Sequence, residues 1–234
     1  MDLAAVVLAG GKGTRLQAVV RDRPKPLALV AGRPFVTYLL DQIADAGIRR
    51  IVLSTGYLAE QFEEAIGSNY RGVEILYAQE REPLGTGGAI RFAGDLAAAD
   101  QLLVMNGDSY CATSLSAYVD WHRAGMHDVS LMLVKVADAS RYGTVDIGPD
   151  GSVTGFLEKR PEQNAGYINA GIYLLRRGML EELPVGASSI ERDGFPSWLA
   201  RFTVKGWITD GEFIDIGIPT DYENSHEFMK RVRK

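Results

Sequence analysis

The sequence predicts an α/β fold: a mixed, mostly parallel sheet with helices on both faces. Three observations predict it. Short apolar runs alternate with segments of helical periodicity through residues 3–106, which is the rhythm of βαβ units. After about residue 126, four strand-like runs follow with few helices between them, so mixed or antiparallel strands are added. The chain has 234 residues, 46% of them apolar and 24% charged, enough to bury a core of this size without disulfide or metal staples.

The elements follow in order. Leu3–Ala9 reads as a buried strand ended by Gly10-Gly11. Phe35, Val36, Leu39, Leu40 and Ile43 fall at helical spacing, with Gly47 placed as a C-terminal cap. Arg50–Ser54 is the next strand, Leu58–Ile66 a second helix and Val73–Ala78 a third strand. Gly87–Ala93 opens a helix, and Leu102–Asn106 is a fourth strand. In the second half Val129–Val136, Gly143–Ile147, Val153–Glu158 and Tyr167–Leu175 are strand-like, with a turn at Pro149-Asp150-Gly151. Helices return at Ile190–Leu199 and at Thr220, where Thr220 to Glu223 has capping-box spacing. No linker or internal repeat divides the chain, and no hexapeptide repeat suggests a β-helix tail. One domain over residues 1–234 is expected.

Charge and cysteine usage exclude some functions. The net charge of −5 and pI of about 5.3 oppose a non-specific grip on nucleic acid, and no basic stripe with interleaved aromatics is present. Residues 1–25 nevertheless carry five basic side chains (Lys12, Arg15, Arg21, Arg23, Lys25) against two acids (Asp2, Asp22). That cluster suits a small anionic ligand, or is a solvated loop. The single cysteine, Cys111, cannot form a disulfide within a monomer or a thiolate zinc site. It reads as structural. His122, His127 and His226 have no ligand spacing. The N-terminal apolar segment lacks a positive flank, so neither a signal peptide nor a membrane span is expected, and the cytoplasm is the expected location.

Several motifs could carry chemistry. Gly10-Gly11-Lys12-Gly13-Thr14-Arg15 follows the first strand. Glycines let backbone N–H groups approach phosphate oxygens, and a helix N-terminus nearby would add a favourable dipole. A P-loop needs Ser or Thr after its lysine, but Gly13 follows Lys12. A dinucleotide fingerprint needs a further glycine where Leu16 stands. In Arg23-Pro24-Lys25-Pro26-Leu27, two prolines stiffen the backbone around one lysine; a surface turn is the plainer reading. Leu84 to Ala89 brings backbone near a flat ligand or makes a tight helix entry. Asn106-Gly107-Asp108 ends an apolar strand, the edge where ligands gather in open α/β sheets. Asp215 interrupts the apolar run Phe213 to Gly217, and a buried acid is paired or metal-bound. Two carboxylates with substrate phosphates make a typical magnesium site. Glu158-Lys159 at a strand end, followed by Asn169-Ala170-Gly171, suits hydroxyls and a phosphate, or a surface salt bridge.

Together, in this order, the motifs resemble the sugar nucleotidyltransferase family over Val7 to about Tyr222, and Gly-Gly-x-Gly-Thr-Arg-Leu with Pro-Lys-Pro-Leu is its most specific signature. The resemblance implies a Rossmann-like three-layer core, Mg²⁺ dependence and release of pyrophosphate from an NTP. It implies that Leu8, Gly10, Gly11, Gly13, Thr14, Gln79, Gly85, Thr86 and Asp108 bind the nucleotide, with Gln79 and Gly85 at the base. Arg15 would neutralise the β- and γ-phosphates, and Lys25 would stand between the α-phosphate and the sugar phosphate. Asp108 and Asp215 would hold the metal; Gly143, Glu158, Lys159 and Asn169 would line the sugar side. Residues 82–90 and 210–219 are most similar to D-glycero-α-D-manno-heptose 1-phosphate guanylyltransferases. GTP and a heptose 1-phosphate are then the expected substrates, and GDP-heptose for bacterial surface polysaccharide the expected product. Mannose 1-phosphate guanylyl-, thymidylyl- and uridylyltransferases share most of the motifs. No nucleic-acid or membrane partner is implied; a homodimer is compatible.

Overall fold

The computed structural model describes residues 2–11, 13–16, 18–157 and 165–232. The first strand is β1 (Leu3–Leu8). A short 3₁₀ turn at Lys25–Leu27 leads to the small hairpin β2 (Leu29–Val30) and β3 (Arg33–Pro34). Helix α1 (Val36–Asp45) follows, then β4 (Arg50–Thr55), α2 (Glu60–Ile66), β5 (Asn69–Tyr70) and β6 (Val73–Gln79). Helix α3 (Gly85–Ala97) precedes β7 (Gln101–Asn106), β8 (Ser109–Cys111) and α4 (Leu115–Ala124). The second half holds β9 (Val129–Val136), β10 (Thr144–Ile147), β11 (Val153–Leu157) and β12 (Gly166–Arg176). It closes with α5 (Phe195–Leu199), β13 (Val204–Thr209), β14 (Phe213–Asp215) and α6 (Pro219–Val232).

The main sheet runs β11-β10-β12-β7-β1-β4-β6-β5, with β9 beside β12 and β13 beside β9. β1 pairs in parallel with β4 and β7, and β4 with β6. β12 lies antiparallel to β7, as the change of rhythm in the second half predicts. Both faces are covered. Ala5 and Val7 join one buried cluster with α1 and α4, while Ala4 and Val6 join the other with α3 and α5. That two-residue alternation is the pleat of a central strand. The chain crosses β1 between β6 and β7, so order reverses there and a crevice opens above the strand ends. Gly107 sits in it, its N–H donating to the Leu8 carbonyl at 2.9 Å.

Three expectations change. The glycine loop runs into turns at Thr14–Leu16, not a helix; the helix N-terminus at the crevice belongs to α3. The segment expected as one helix over Ile190–Leu199 splits into a π-helical turn, Ile190–Gly194, and α5. Pro196 has no N–H to carry an α-helical bond across the junction. Helix α6 starts at Pro219, so Thr220 lies in its first turn and is not the cap. Proline suits that first position because the missing N–H would go unpaired anyway. The sequence reading assigned nothing to α4, which Ser114 opens: its Oγ accepts from Ala117 N at 3.2 Å.

Buried chemistry is mostly structural. Burial pushes the Cys111 thiol up to about 12, which leaves it unreactive. His122 is 1% exposed, its Nδ1 2.7 Å from Ser130 Oγ. Burial, then the neighbouring His127 and Arg123 charges, lower it from 6.5 to about 4. Between those values the unfolded chain holds the extra proton. Stability is therefore lost as pH falls from about 6.5 towards about 4, by up to about 3 kcal/mol. We expect His122→Gln to flatten this dependence in urea unfolding at pH 7 and pH 4.5; equal slopes for both proteins would refute the assignment.

Candidate active site

A cleft of about 310 Å³ lies at the C-terminal ends of the parallel strands. Its walls are Leu8, Gly10, Gly11 and Gly13, then Lys25 and Pro26, Glu80 and Pro83, Gly85, Thr86 and Ala89 of α3, and Asn106 and Asp108. Sequence positions from four loops thus converge, and most of the expected nucleotide residues are among them.

Lys25 is the charged centre. The 3₁₀ turn that begins at Lys25 buries Pro26 and Leu27, which fixes the backbone from which its side chain projects. Lys25 Nζ donates to Asp108 Oδ2 at 2.5 Å. The lysine side chain is 17% and the aspartate 30% exposed, so the pair is shielded yet reachable. Asp215 approaches from β14, which pairs antiparallel with β8 in the register Asp215↔Ser109. Burial and the Asp108 charge raise the Asp215 carboxyl from 3.8 to about 6, against the pull of Lys25 and the Gly217 N–H. Two mutually repelling carboxylates are a hard-oxygen donor set that fits a divalent cation. Among the described residues no group of three or more His, Cys, Asp or Glu is arranged to hold a metal ion by itself. Phosphate oxygens or water would complete such a shell, as is usual for Mg²⁺.

Glu80 is the residue that sequence reasoning missed. Its Oε1 accepts from Ser54 Oγ and its Oε2 from Leu84 N, each at 2.9 Å. A side chain on Gly10 would meet Glu80 Oε1 at 2.7 Å, so a glycine there lets the carboxylate reach the cleft wall. Gln79, expected at the base, is exposed and outside the cleft lining. Strand β6 ends at Gln79, and the residue after it, Glu80, lines the cleft in its place. The run Ala78-Gln79-Glu80-Arg81-Glu82 has no polarity contrast that could have revealed this.

The entry of α3 serves packing as well as the cleft. Gly85 has φ +68, and a Cβ there would lie 2.5 Å from the Ser188 carbonyl oxygen. The Thr86 hydroxyl accepts from Ile190 N at 2.9 Å and donates to Glu191 at 2.7 Å. Thr86 thus lines the cleft, but its side chain is committed to the 188–191 segment. Thr14 and Arg15 are exposed and do not line the cleft, while Leu16 anchors the loop at 1% exposure.

The expected sugar side is partly described. Asn169 N donates to the Gly143 carbonyl at 3.3 Å, which brings those two together. The Asn169 side chain turns inward to Tyr173 Oη and Gly171 N, at a bulge in β12. Glu158 and Lys159 lie outside the described residues.

The Nucleotidyl transferase family matches residues 4–231. The chain is 39% identical to a mannose-1-phosphate guanylyltransferase of Mycobacterium tuberculosis, over 93% of this chain and 62% of that protein. It therefore spans about three fifths of that relative. It is 36% identical to the D-glycero-alpha-D-manno-heptose 1-phosphate guanylyltransferase of Aneurinibacillus thermoaerophilus, over 97% of this chain and 99% of that one. The solved structure of HddC from Yersinia pseudotuberculosis complexed with GMP-PN superposes with a TM-score of 0.84 at 37% identity, covering 97% of this chain and 99% of that one. With a family match over nearly its whole length and a relative matched end to end, the chain belongs to the nucleotidyl transferase family.

Proposed function

We propose that the protein transfers a guanylyl group from GTP to D-glycero-α-D-manno-heptose 1-phosphate, releasing pyrophosphate. The observation that carries nucleotidyl transfer is the Lys25–Asp108 pair at the cleft, with Asp215 beside it. A sugar-phosphate oxygen attacks the α-phosphorus; the bond from that phosphorus to the bridging oxygen breaks, and pyrophosphate leaves. The nucleophile is already ionised, so no general base is needed. The physical problem is repulsion between two anions, about 4 kcal/mol for unit charges about 4 Å apart at an effective dielectric of about 20. In this reading Lys25 offsets it, and backbone N–H groups of Gly10, Gly11 and Gly13 hold phosphate oxygens. Arg15, exposed in solvent, is assigned to the leaving pyrophosphate on the family resemblance. Asp108 and Asp215 would hold Mg²⁺, which supplies positive charge at the phosphates.

Glu80 supports guanine. Guanine presents N1–H and N2–H donors on one edge, and each Glu80 oxygen keeps a second lone pair beside its bond from Ser54 or Leu84 with which to accept them. Uracil and thymine flank their single N–H with carbonyls that a carboxylate would repel. The heptose assignment rests on the end-to-end match to the A. thermoaerophilus enzyme; the 39% identity to a mannose enzyme keeps mannose 1-phosphate as the second reading. Pyrophosphate release from four NTPs against heptose, mannose and glucose 1-phosphates tests both. Glu80→Gln is expected to reduce the preference for GTP over UTP about tenfold or more, the loss of one charged hydrogen bond. An unchanged ratio would remove Glu80 from base recognition. Among the described residues no helix is long and apolar enough to cross a membrane, and the cytoplasm is proposed as the location.

A further inference from the structure

Beyond the nucleotide cleft, a second cationic position flanks the carboxylate pair. Asp108 lines the cleft, whereas Asp215 does not. Against the strand that carries Asp215 packs the segment after β9, with Arg141, Tyr142 and Gly143. Tyr142 packs edge-on against Phe213, two residues from Asp215, with ring centres 5.8 Å apart. The Arg141 guanidinium lies over the Tyr142 ring at 5.7 Å, and its Nη2 donates to Asp221 Oδ2 of α6 at 2.6 Å. The Arg141 side chain is 46% exposed and that of Asp221 20%. Asp215 also contributes, after Asp221, to the raised basicity of Arg141.

We propose that Arg141 binds the phosphate of the incoming sugar 1-phosphate, and that Asp221 is its resting partner in the free enzyme. This rests on the nucleotidyl transfer reading above. The argument is one of position and of exchange. A second phosphate drawn to the carboxylate pair has Arg141 in its neighbourhood, because Tyr142 packs on Phe213 of the strand that carries Asp215. Only one nitrogen of its fork is used by Asp221, and a half-exposed pair of this kind is weakly held. A phosphate offers bidentate hydrogen bonds to a planar guanidinium and more charge than one carboxylate. The contact of the guanidinium with the Tyr142 ring does not use the nitrogens that a phosphate would take. Nothing in the residue spacing marks Arg141, because Asp221 lies 80 positions away.

The test is steady-state kinetics on Arg141→Ala, Arg141→Lys and Asp221→Asn, with pyrophosphate release as readout and each substrate varied in turn. Arg141→Ala is expected to raise KM for the sugar 1-phosphate about 10- to 100-fold, the loss of charged hydrogen bonds, with KM for GTP unchanged. Arg141→Lys, which keeps the charge and loses the fork, is expected to fall between. Asp221→Asn, which releases the guanidinium, is expected to give a sugar-phosphate KM no higher than wild type. A matching rise in Asp221→Asn would show a structural clamp between the loop and α6 and would overturn the proposal. So would an Arg141→Ala variant whose effect falls on GTP, or whose sugar-phosphate KM stays within twofold of wild type. If Arg141→Ala does not fold, Arg141→Lys and Asp221→Asn decide by the same criteria. Wild-type protein without turnover on any sugar 1-phosphate would instead defeat the functional reading itself.

Discussion

Lys25→Ala is expected to lower kcat/KM by about 10³-fold. The estimate follows from the repulsion between the reacting anions, about 4 kcal/mol at 4 Å and an effective dielectric of about 20, with about 1.4 kcal/mol for each factor of ten. Lys25 lines the cleft, is 17% exposed and holds its ammonium 2.5 Å from Asp108. Removing it also leaves Asp108 without its paired cation. Lys25→Arg should recover only part of the rate, because a planar fork does not replace a compact ammonium. Pyrophosphate release at saturating Mg²⁺ measures this. A loss below tenfold would reduce Lys25 to a counter-ion of Asp108.

Asp215→Asn is expected to cut turnover by roughly 10²-fold or more, the loss typical of removing one transition-state stabiliser. The same substitution should stabilise the metal-free protein. The wild-type carboxyl lies at about 6 against an ordinary 3.8, raised by burial and by Asp108. A raised carboxyl contributes stability below pH 3.8 that is lost as pH rises through about 6. At pH 7.5 its charge therefore costs folding free energy. Asparagine keeps the shape and removes that charge. We expect a higher Tm for the variant at pH 7.5 without metal, and a Mg²⁺-induced rise in Tm for wild type that the variant lacks. An equal Mg²⁺ response in both proteins, or near wild-type turnover, would end the metal assignment.

These opposite effects on stability and turnover explain why an acid sits in an apolar strand. Replacing the charge would help the empty protein and harm the reaction. His122 shows the reverse case. It is buried, titrates near 4 and touches Ser130 instead of the cleft, so its perturbation belongs to the core and to stability alone. A shifted titration marks function only when it coincides with a second charge that lines the cleft, as Asp108 does beside Asp215.

Local physics made much of this protein legible in the sequence. β1, β4, β6 and β7 are runs of apolar residues that need no long-range information to be read, and α1 repeats its buried side chains at helical spacing. The glycine loop, Lys25 between two prolines, and Asp108 at a strand end were recognisable because backbone chemistry restricts which residues fit there. Their spacing already excluded the P-loop and the dinucleotide fingerprint. The structure alone decided which of those residues share a site. Asp215 reaches Asp108 through the β14–β8 pairing and the bond from Ile216 N to the Asp108 carbonyl, contacts across more than 100 positions. Glu80 replaces Gln79 at the cleft, one residue past the end of β6. The Thr86 hydroxyl is taken by Ile190 and Glu191, and Arg141 meets Asp221 from another element altogether. The sequence determined the elements and the kind of chemistry they carry, because propensity and turn geometry act over a few residues. Which charges face one another was decided by the tertiary fold, because Coulomb interactions depend on distance in space and not along the chain.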